Sequence, residues 1–110
     1  MIARHRRILV DLGTGDGKAA LRAARAEPTL LAIGVDADAT GLREVSWQAA
    51  RPVRKGGASN ALFLTGDATE ALLLLRGRVD EVRITLPWGS LLRAVLDGDR
   101  AFALAVAGSL

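Results

Sequence analysis

The sequence predicts an α/β fold in which helices cover both faces of a parallel sheet. Short apolar runs alternate with segments of helical spacing, in the order β, α, β, α, β, α, β. Three of the predicted strands end at or beside a carboxylate, namely Asp11, Asp36 and Asp67. A glycine-rich turn follows the first strand, and open α/β sheets bind ligands at such turns.

The length and composition describe one small domain. The 110 residues, half of them apolar, are enough for a single core, so residues 1–110 are taken as one domain. Apolar runs fall short of the roughly 20 residues of a membrane span, and the first residues do not resemble a signal peptide. We therefore expect a cytoplasmic protein without a membrane partner. With no cysteine and the single His5, a metal site is not expected.

The first strand and helix flank the glycine turn. Arg7 to Leu12 reads as a strand whose continuous apolar run suits burial on both faces. Lys18 to Glu27 is alanine-rich and has helical spacing, and Pro28 ends it. These segments form the first βα unit.

A second βα unit follows. Leu30 to Val35 is a buried strand that ends at Asp36, and either Asp38 or Thr40 is suited to cap the next helix. Trp47 lies about 100° or more from the apolar stripe of that helix, at 3.6 residues per turn. Trp47 is therefore not expected in the central core.

The second half of the chain continues the alternation. The predicted elements are a loop over 51–59, a strand over 61–65, a helix over 69–75, a strand over 81–86, and helices over 91–96 and 100–110. If the glycine turn marks the reversal point, right-handed crossovers give the strand order 3-2-1-4. A complete doubly wound sheet continues beyond a fourth strand, so the sheet is expected to be truncated.

The glycine turn differs from a dinucleotide fingerprint. Gly13, Gly15 and Gly17 follow G-x-G-x-G, whereas NAD-binding loops follow G-x-G-x-x-G and accept a pyrophosphate. Asp11 and Asp16 would repel a diphosphate and attract a cation. S-adenosylmethionine meets this demand, because its methionine end carries an ammonium and a sulfonium. A tight turn without a ligand is the alternative.

Two further strand ends suit the rest of that molecule. Asp36 is placed to accept hydrogen bonds from both ribose hydroxyls. Asp67 and the Ala68 amide are suited to the adenine edge. Carboxylates at three strand ends make a plain turn the weaker interpretation.

The loop after the second helix is cationic. Arg51, Arg54 and Lys55 lie in a stretch that has no acidic residue between Glu44 and Asp67. The net charge of +3 permits a nucleic-acid partner without requiring one. These residues either contact phosphates or form a solvated loop.

Four stretches together resemble a known family. They are Asp11 to Lys18, Asp36 to Asp38, Arg51 to Asn60, and Leu86 to Leu92 with its Pro-Trp-Gly-Ser-Leu-Leu run. They resemble the 16S ribosomal RNA adenine-1408 N1-methyltransferases that confer aminoglycoside resistance. The first stretch alone indicates only the Rossmann-like class I methyltransferases, whereas the last is distinctive. The resemblance covers residues 7 to about 100, the cosubstrate-binding half of the family.

The resemblance implies roles for individual residues. It implies that Gly13 and its neighbours line the methionine end of the cosubstrate and that Asp36 holds the ribose. With the strand-end residues, the expected cosubstrate site consists of Asp11, Gly13, Thr14, Gly15, Asp16, Gly17, Asp36, Ala37, Asp67, Ala68 and Pro87. Trp88 would stack on the flipped target adenine, and Ser90 would lie near the methionine moiety. Arg51, Arg54 and Lys55 would contact phosphates of 16S ribosomal RNA in the small ribosomal subunit. Asp67 departs from the family, where a small residue is common. Residues 1–110 are also expected to lack the family's N-terminal extension and its further strands.

Two other functions stay open on the sequence. A small-molecule methyltransferase of the same class would share the cosubstrate site. A non-catalytic binding or assembly module would use the fourth strand as an unpaired edge, because exposed edges recruit partners and permit self-association.

Overall fold

The computed structural model describes residues 7–84 and 100–110. In chain order these residues form β1 (Arg7–Leu12), α1 (Lys18–Ala26), β2 (Leu30–Asp36), α2 (Ala39–Ala49), a 3-10 helix (Val53–Lys55), β3 (Ala61–Thr65), α3 (Ala68–Leu74), β4 (Glu81–Ile84) and α4 (Arg100–Ser109). The predicted helix over 91–96 and the motif at 87–90 lie outside the described residues.

The strands form one parallel sheet of order β3-β2-β1-β4, as predicted. Asp11 of β1 pairs with Gly34 of β2, and Asp36 of β2 pairs with Thr65 of β3. This register aligns the carboxyl ends of the strands at one rim. The glycine turn and the end of β2 therefore lie side by side, as a ligand site at a reversal point requires.

Helices cover both faces of the sheet, which gives the predicted three layers. Successive side chains of a strand point to opposite faces, so Leu9 packs on one side while Ile8 and Val10 pack on the other. One core lies between the sheet and the pair α1 and α2. The other core lies between the sheet and the pair α3 and α4.

Glycines permit close packing beneath the turn. A Cβ on Gly34 would lie 2.9 Å from the Phe63 ring and 3.0 Å from both Cγ2 and Oγ1 of Thr14. A Cβ on Gly41, in the first turn of α2, would lie 2.9 Å from the carbonyl oxygen of Gly15. The turn is therefore packed directly on β2 and α2.

The segment predicted as a plain loop contains a 3-10 helix. Pro52 fixes φ at −54° ahead of it, and the Lys55 amide donates to the Pro52 carbonyl at 2.8 Å. Gly56 ends it with φ at 94°. Trp47 lies outside the core as predicted, with 68% of its surface exposed.

Candidate functional site

The glycine turn depends on left-handed backbone at alternate positions. Gly13, Gly15 and Gly17 have φ values of 68°, 62° and 74°. Residues with a Cβ rarely adopt this left-handed region. The amides of Gly13 and Thr14 both donate to the carbonyl of Val35, at 2.8 and 3.0 Å. These bonds fix the turn against the end of β2.

Asp36 connects the end of β2 to the turn. Its Oδ2 accepts the Gly15 amide at 2.8 Å, and its Oδ1 accepts the Asp38 amide at 2.9 Å. The residue is half-buried. Each carboxylate oxygen has about two acceptor positions, so both oxygens retain capacity for a further hydroxyl donor. The two amides orient the carboxylate in advance.

The other carboxylates of the turn differ in exposure. Asp11 is 2% exposed, and its Oδ2 accepts the hydroxyl of the equally buried Thr14 at 3.0 Å. Asp16 is exposed and accepts the Lys18 amide at 3.0 Å. Asp11 therefore holds the turn from inside, whereas Asp16 carries the turn's solvent-facing negative charge.

Two more acidic residues of the rim act as helix caps. The Asp38 side chain accepts the Thr40 amide at 2.9 Å at the start of α2, which confirms Asp38 as the cap. The backbone hydrogen bond from Thr40 lowers the pKa of the Asp38 carboxyl below its usual value. This contribution to stability is present above the usual carboxyl pKa and is lost as the pH falls through the lowered value.

Asp67 caps α3. Its Oδ2 accepts the Glu70 amide at 3.1 Å, and α3 begins at Ala68. The preceding Gly66 amide donates to the Asp36 carbonyl at 2.9 Å. The structure therefore places Asp67 and Ala68 beside Asp36 on the same rim, with Ala37 exposed next to them.

The cationic loop lies at the opposite end of α2 from this rim. Arg51, Arg54 and Lys55 are all exposed. An α2 of 11 residues separates the two regions by about 16 Å, at 1.5 Å per residue. A cavity of about 580 Å³ lies beside this loop, between the end of α2 and β3, and not at the glycine turn.

Two polar side chains connect segments that are distant in sequence, and neither of them was identified from the sequence. Arg25 of α1 donates from Nη1 to the carbonyls of Val53 and Gly57, both at 2.9 Å. The Asn60 amide nitrogen donates to the carbonyls of Ala24, Glu27 and Leu30, at 2.8, 3.1 and 2.7 Å. Local sequence carries no signal for contacts that span about 30 residues.

Some predicted site residues lie outside the described ranges. They are Pro87, Trp88 and Ser90. Within residues 7–84 and 100–110, no group of three or more His, Cys, Asp or Glu side chains is arranged to hold a metal ion. The helices of these same ranges are all too short or too polar to cross a bilayer.

Comparison with known proteins gives a consistent result. The family model described as NpmA: 16S rRNA (adenine(1408)-N(1))-methyltransferase matches residues 1–109. An enzyme named 16S rRNA (adenine(1408)-N(1))-methyltransferase from Streptoalloteichus tenebrarius is 44% identical over 89 residues, which is 81% of this chain. One of the same name from Escherichia coli is 32% identical over 100 residues, or 91% of this chain.

Solved structures agree with the sequence relatives. The crystal structure of the aminoglycoside resistance methyltransferase NpmB1 superposes with a TM-score of 0.90 at 39% identity and covers 99% of this chain. A variant of the 16S rRNA (adenine(1408)-N(1))-methyltransferase from Catenulisporales acidiphilia, solved with the cosubstrate SAM, gives 0.89 at 38% identity over 98% of this chain.

The chain is shorter than these relatives. It spans 40% of the Streptoalloteichus tenebrarius enzyme and 46% of the Escherichia coli enzyme. It spans 53% of each of the two crystallised chains.

Proposed function

Because the chain belongs to the 16S rRNA (adenine(1408)-N(1))-methyltransferase family, we propose that it acts in the S-adenosylmethionine-dependent methylation of 16S ribosomal RNA at N1 of adenine 1408. The observation that carries this proposal is the Asp36 carboxylate, which the Gly15 and Asp38 amides hold at the end of β2. Aminoglycoside resistance is the proposed consequence, as in the relatives.

The rim offers complementary groups for each part of S-adenosylmethionine. Asp36 has acceptor capacity left for two ribose hydroxyls. The exposed Asp16 gives the turn a negative charge toward the cationic methionine end. Asp67 and Ala68, beside Asp36, are the proposed contacts of the adenine ring. Bound here, the cosubstrate supplies the methyl group.

The reaction places modest chemical demands on the protein. Adenine N1 has a free lone pair, so it attacks the sulfonium methyl directly and needs no strong general base. Positioning of the base then dominates catalysis. Trp88 is the proposed stacking surface for the flipped adenine. Ser90 is proposed to lie near the methionine moiety, and Pro87 is a proposed cosubstrate-binding residue. Stacking on one aromatic ring offsets about 1 to 3 kcal/mol of the cost of base flipping.

The cationic loop is the proposed contact with ribosomal RNA. Arg51, Arg54 and Lys55 are exposed on one short segment, and phosphate contacts supply most non-specific affinity. The rim and the loop are separated by about the length of α2, and a folded RNA surface reaches both. The cytoplasm, which contains the small ribosomal subunit, is the proposed location.

Salt dependence of subunit binding tests the RNA proposal. Replacing Arg51, Arg54 and Lys55 by alanine together is expected to flatten the slope of log affinity against log salt by roughly two to three units, since each phosphate contact contributes about 0.7 to 0.9. Binding of purified small ribosomal subunits across a salt series measures this slope.

The triple variant has an internal control. Its affinity for S-adenosylmethionine is expected to equal that of the unmodified chain, because the loop lies at the far end of α2 from the rim. An unchanged salt slope would show that the loop is only solvated. If the unmodified chain methylates small molecules but does not bind the ribosomal subunit, the protein is better described as a small-molecule methyltransferase.

The edge of β4 motivates an alternative function as an assembly module. Among the described residues β4 pairs with β1 alone, and Ile84 at its end is 40% exposed. Unpaired edges recruit further strands, so we propose self-association through this edge as the competing possibility. Light scattering during size-exclusion chromatography is expected to give a dimer mass under that alternative, and a monomer would contradict it.

A further inference from the structure

One side chain ties α1 to the cationic loop. Arg25 lies in the last turn of α1, and its Nη1 donates to the carbonyls of Val53 and Gly57, both at 2.9 Å. These two carbonyls flank Arg54 and Lys55 in the chain. A single guanidinium therefore holds both ends of the segment that carries two of the three loop cations.

The rest of the loop's order comes from its own backbone. The amides of Lys55 and Gly57 donate to the Pro52 carbonyl, at 2.8 and 3.2 Å. The Ala58 amide donates to the Ala49 carbonyl at 2.9 Å, which ties the end of the loop to α2. The bonds from Arg25 add a connection to α1, so the loop is fixed against two helices.

Order in the free loop matters for binding. Each residue that becomes fixed only on binding costs about 1 to 2 kcal/mol of conformational entropy, and this cost is subtracted from the affinity. A loop already fixed in the free protein avoids that cost. The number of phosphate contacts in the complex is the same in either case.

We propose that Arg25 is a positioning residue for RNA binding, which holds the cationic loop in the conformation that presents Arg51, Arg54 and Lys55 to phosphates. Arg25 acts through the carbonyls of Val53 and Gly57 and does not itself contact RNA. The inference rests on the proposed function of the loop.

The test compares Arg25→Met with Arg22→Met. Methionine keeps an unbranched side chain and a high helix propensity but has no hydrogen-bond donor. Arg22 is an exposed arginine one turn earlier on α1, so its variant removes the same charge. Binding of small ribosomal subunits is measured over a salt series, and amide hydrogen exchange is measured for the loop.

Arg25→Met is expected to bind about tenfold more weakly with an unchanged salt slope, because the contacts are the same but the loop must be ordered first. Loop amides, those of Lys55 and Gly57 among them, are expected to exchange faster while β1 and β2 stay protected. Arg25→Lys, which retains a donor, is expected to recover part of the affinity. Arg22→Met is expected to match the unmodified chain in both measurements.

Two results would overturn the inference. A salt slope flattened by about one contact, 0.7 to 0.9, would show that Arg25 contacts a phosphate directly. An affinity equal to that of Arg22→Met would show that the bonds to the loop do not assist binding. If the triple variant of Arg51, Arg54 and Lys55 flattens the slope in the same series, the RNA proposal stands while the inference fails. If it does not, both fail.

Discussion

Alanine in place of Asp36 is expected to weaken S-adenosylmethionine binding about a hundredfold or more. Each hydrogen bond from a ribose hydroxyl to the carboxylate contributes roughly 1.5 to 3 kcal/mol, and two such bonds are lost. The carboxylate also accepts the Gly15 amide at 2.8 Å, so its removal is expected to loosen the turn that is the proposed site of the methionine end. Isothermal calorimetry measures the loss.

Asparagine at position 36 tests whether the negative charge, and not only the size of the side chain, is needed for binding. Asp36→Asn keeps the size of the side chain, but its amide nitrogen cannot accept the hydrogen bond that one of the carboxylate oxygens receives. It is expected to bind nearly as weakly as the alanine variant. Glu44→Gln, which removes one exposed carboxylate from α2, serves as the control and should bind normally.

The same calorimetry compares the binding of S-adenosylmethionine with the binding of NAD. The unmodified chain is expected to bind S-adenosylmethionine and not NAD, because the carboxylates of the rim repel a pyrophosphate. Tighter binding of NAD, or unchanged affinity in Asp36→Ala, would contradict the proposed site. Thermal unfolding of each variant verifies that the fold is retained.

The sheet and its rim were predictable because their signals are local. A parallel strand covered on both faces reads as a continuous apolar run, and the runs at β1 and β2 end where the structure ends the strands. Right-handed crossovers then restrict the strand order. Residue type and position limited the cap of α2 to Asp38 or Thr40, and the structure selects Asp38.

The roles of the carboxylates on that rim could not be separated by sequence. Asp11 and Asp16 have the same side chain, yet Asp11 is buried against Thr14 while Asp16 faces solvent. The difference arises because Asp11 belongs to β1, where both faces are covered, whereas Asp16 belongs to the turn. Burial depends on how the helices pack, which residue spacing does not specify.

Contacts distant in sequence were also beyond prediction. Arg25 reads as an ordinary helix residue, and only the packing of α1 beside the loop reveals its acceptors at Val53 and Gly57. Asn60 likewise reads as the end of a loop, but its side chain joins the end of α1 to the start of β2. Both side chains hold the cationic segment and β3 in place.

Gly57 shows how tightly that segment is packed. A Cβ at this position would lie 1.6 Å from the carbonyl oxygen of Arg51, 2.5 Å from its carbonyl carbon and 3.0 Å from the carbonyl oxygen of Ala49. All three atoms belong to the backbone, so a change of rotamer cannot relieve the clash. Any side chain at position 57 must move the loop away from the end of α2.

Gly57→Ala is therefore expected to lower the free energy of unfolding by about 3 kcal/mol, the upper end of overpacking effects, and to weaken subunit binding more than Arg25→Met. The displaced loop loses the bond from the Ala58 amide to Ala49 and the bond from Arg25 to Gly57.

Gly56→Ala is the matched control, because its Cβ meets only the end of the Gln48 side chain at 3.4 Å. With φ at 94° it is expected to cost about 1 to 2 kcal/mol through backbone strain. Denaturant unfolding and the salt series measure both variants, and equal stabilities would contradict the close packing of Gly57 against the Arg51 carbonyl.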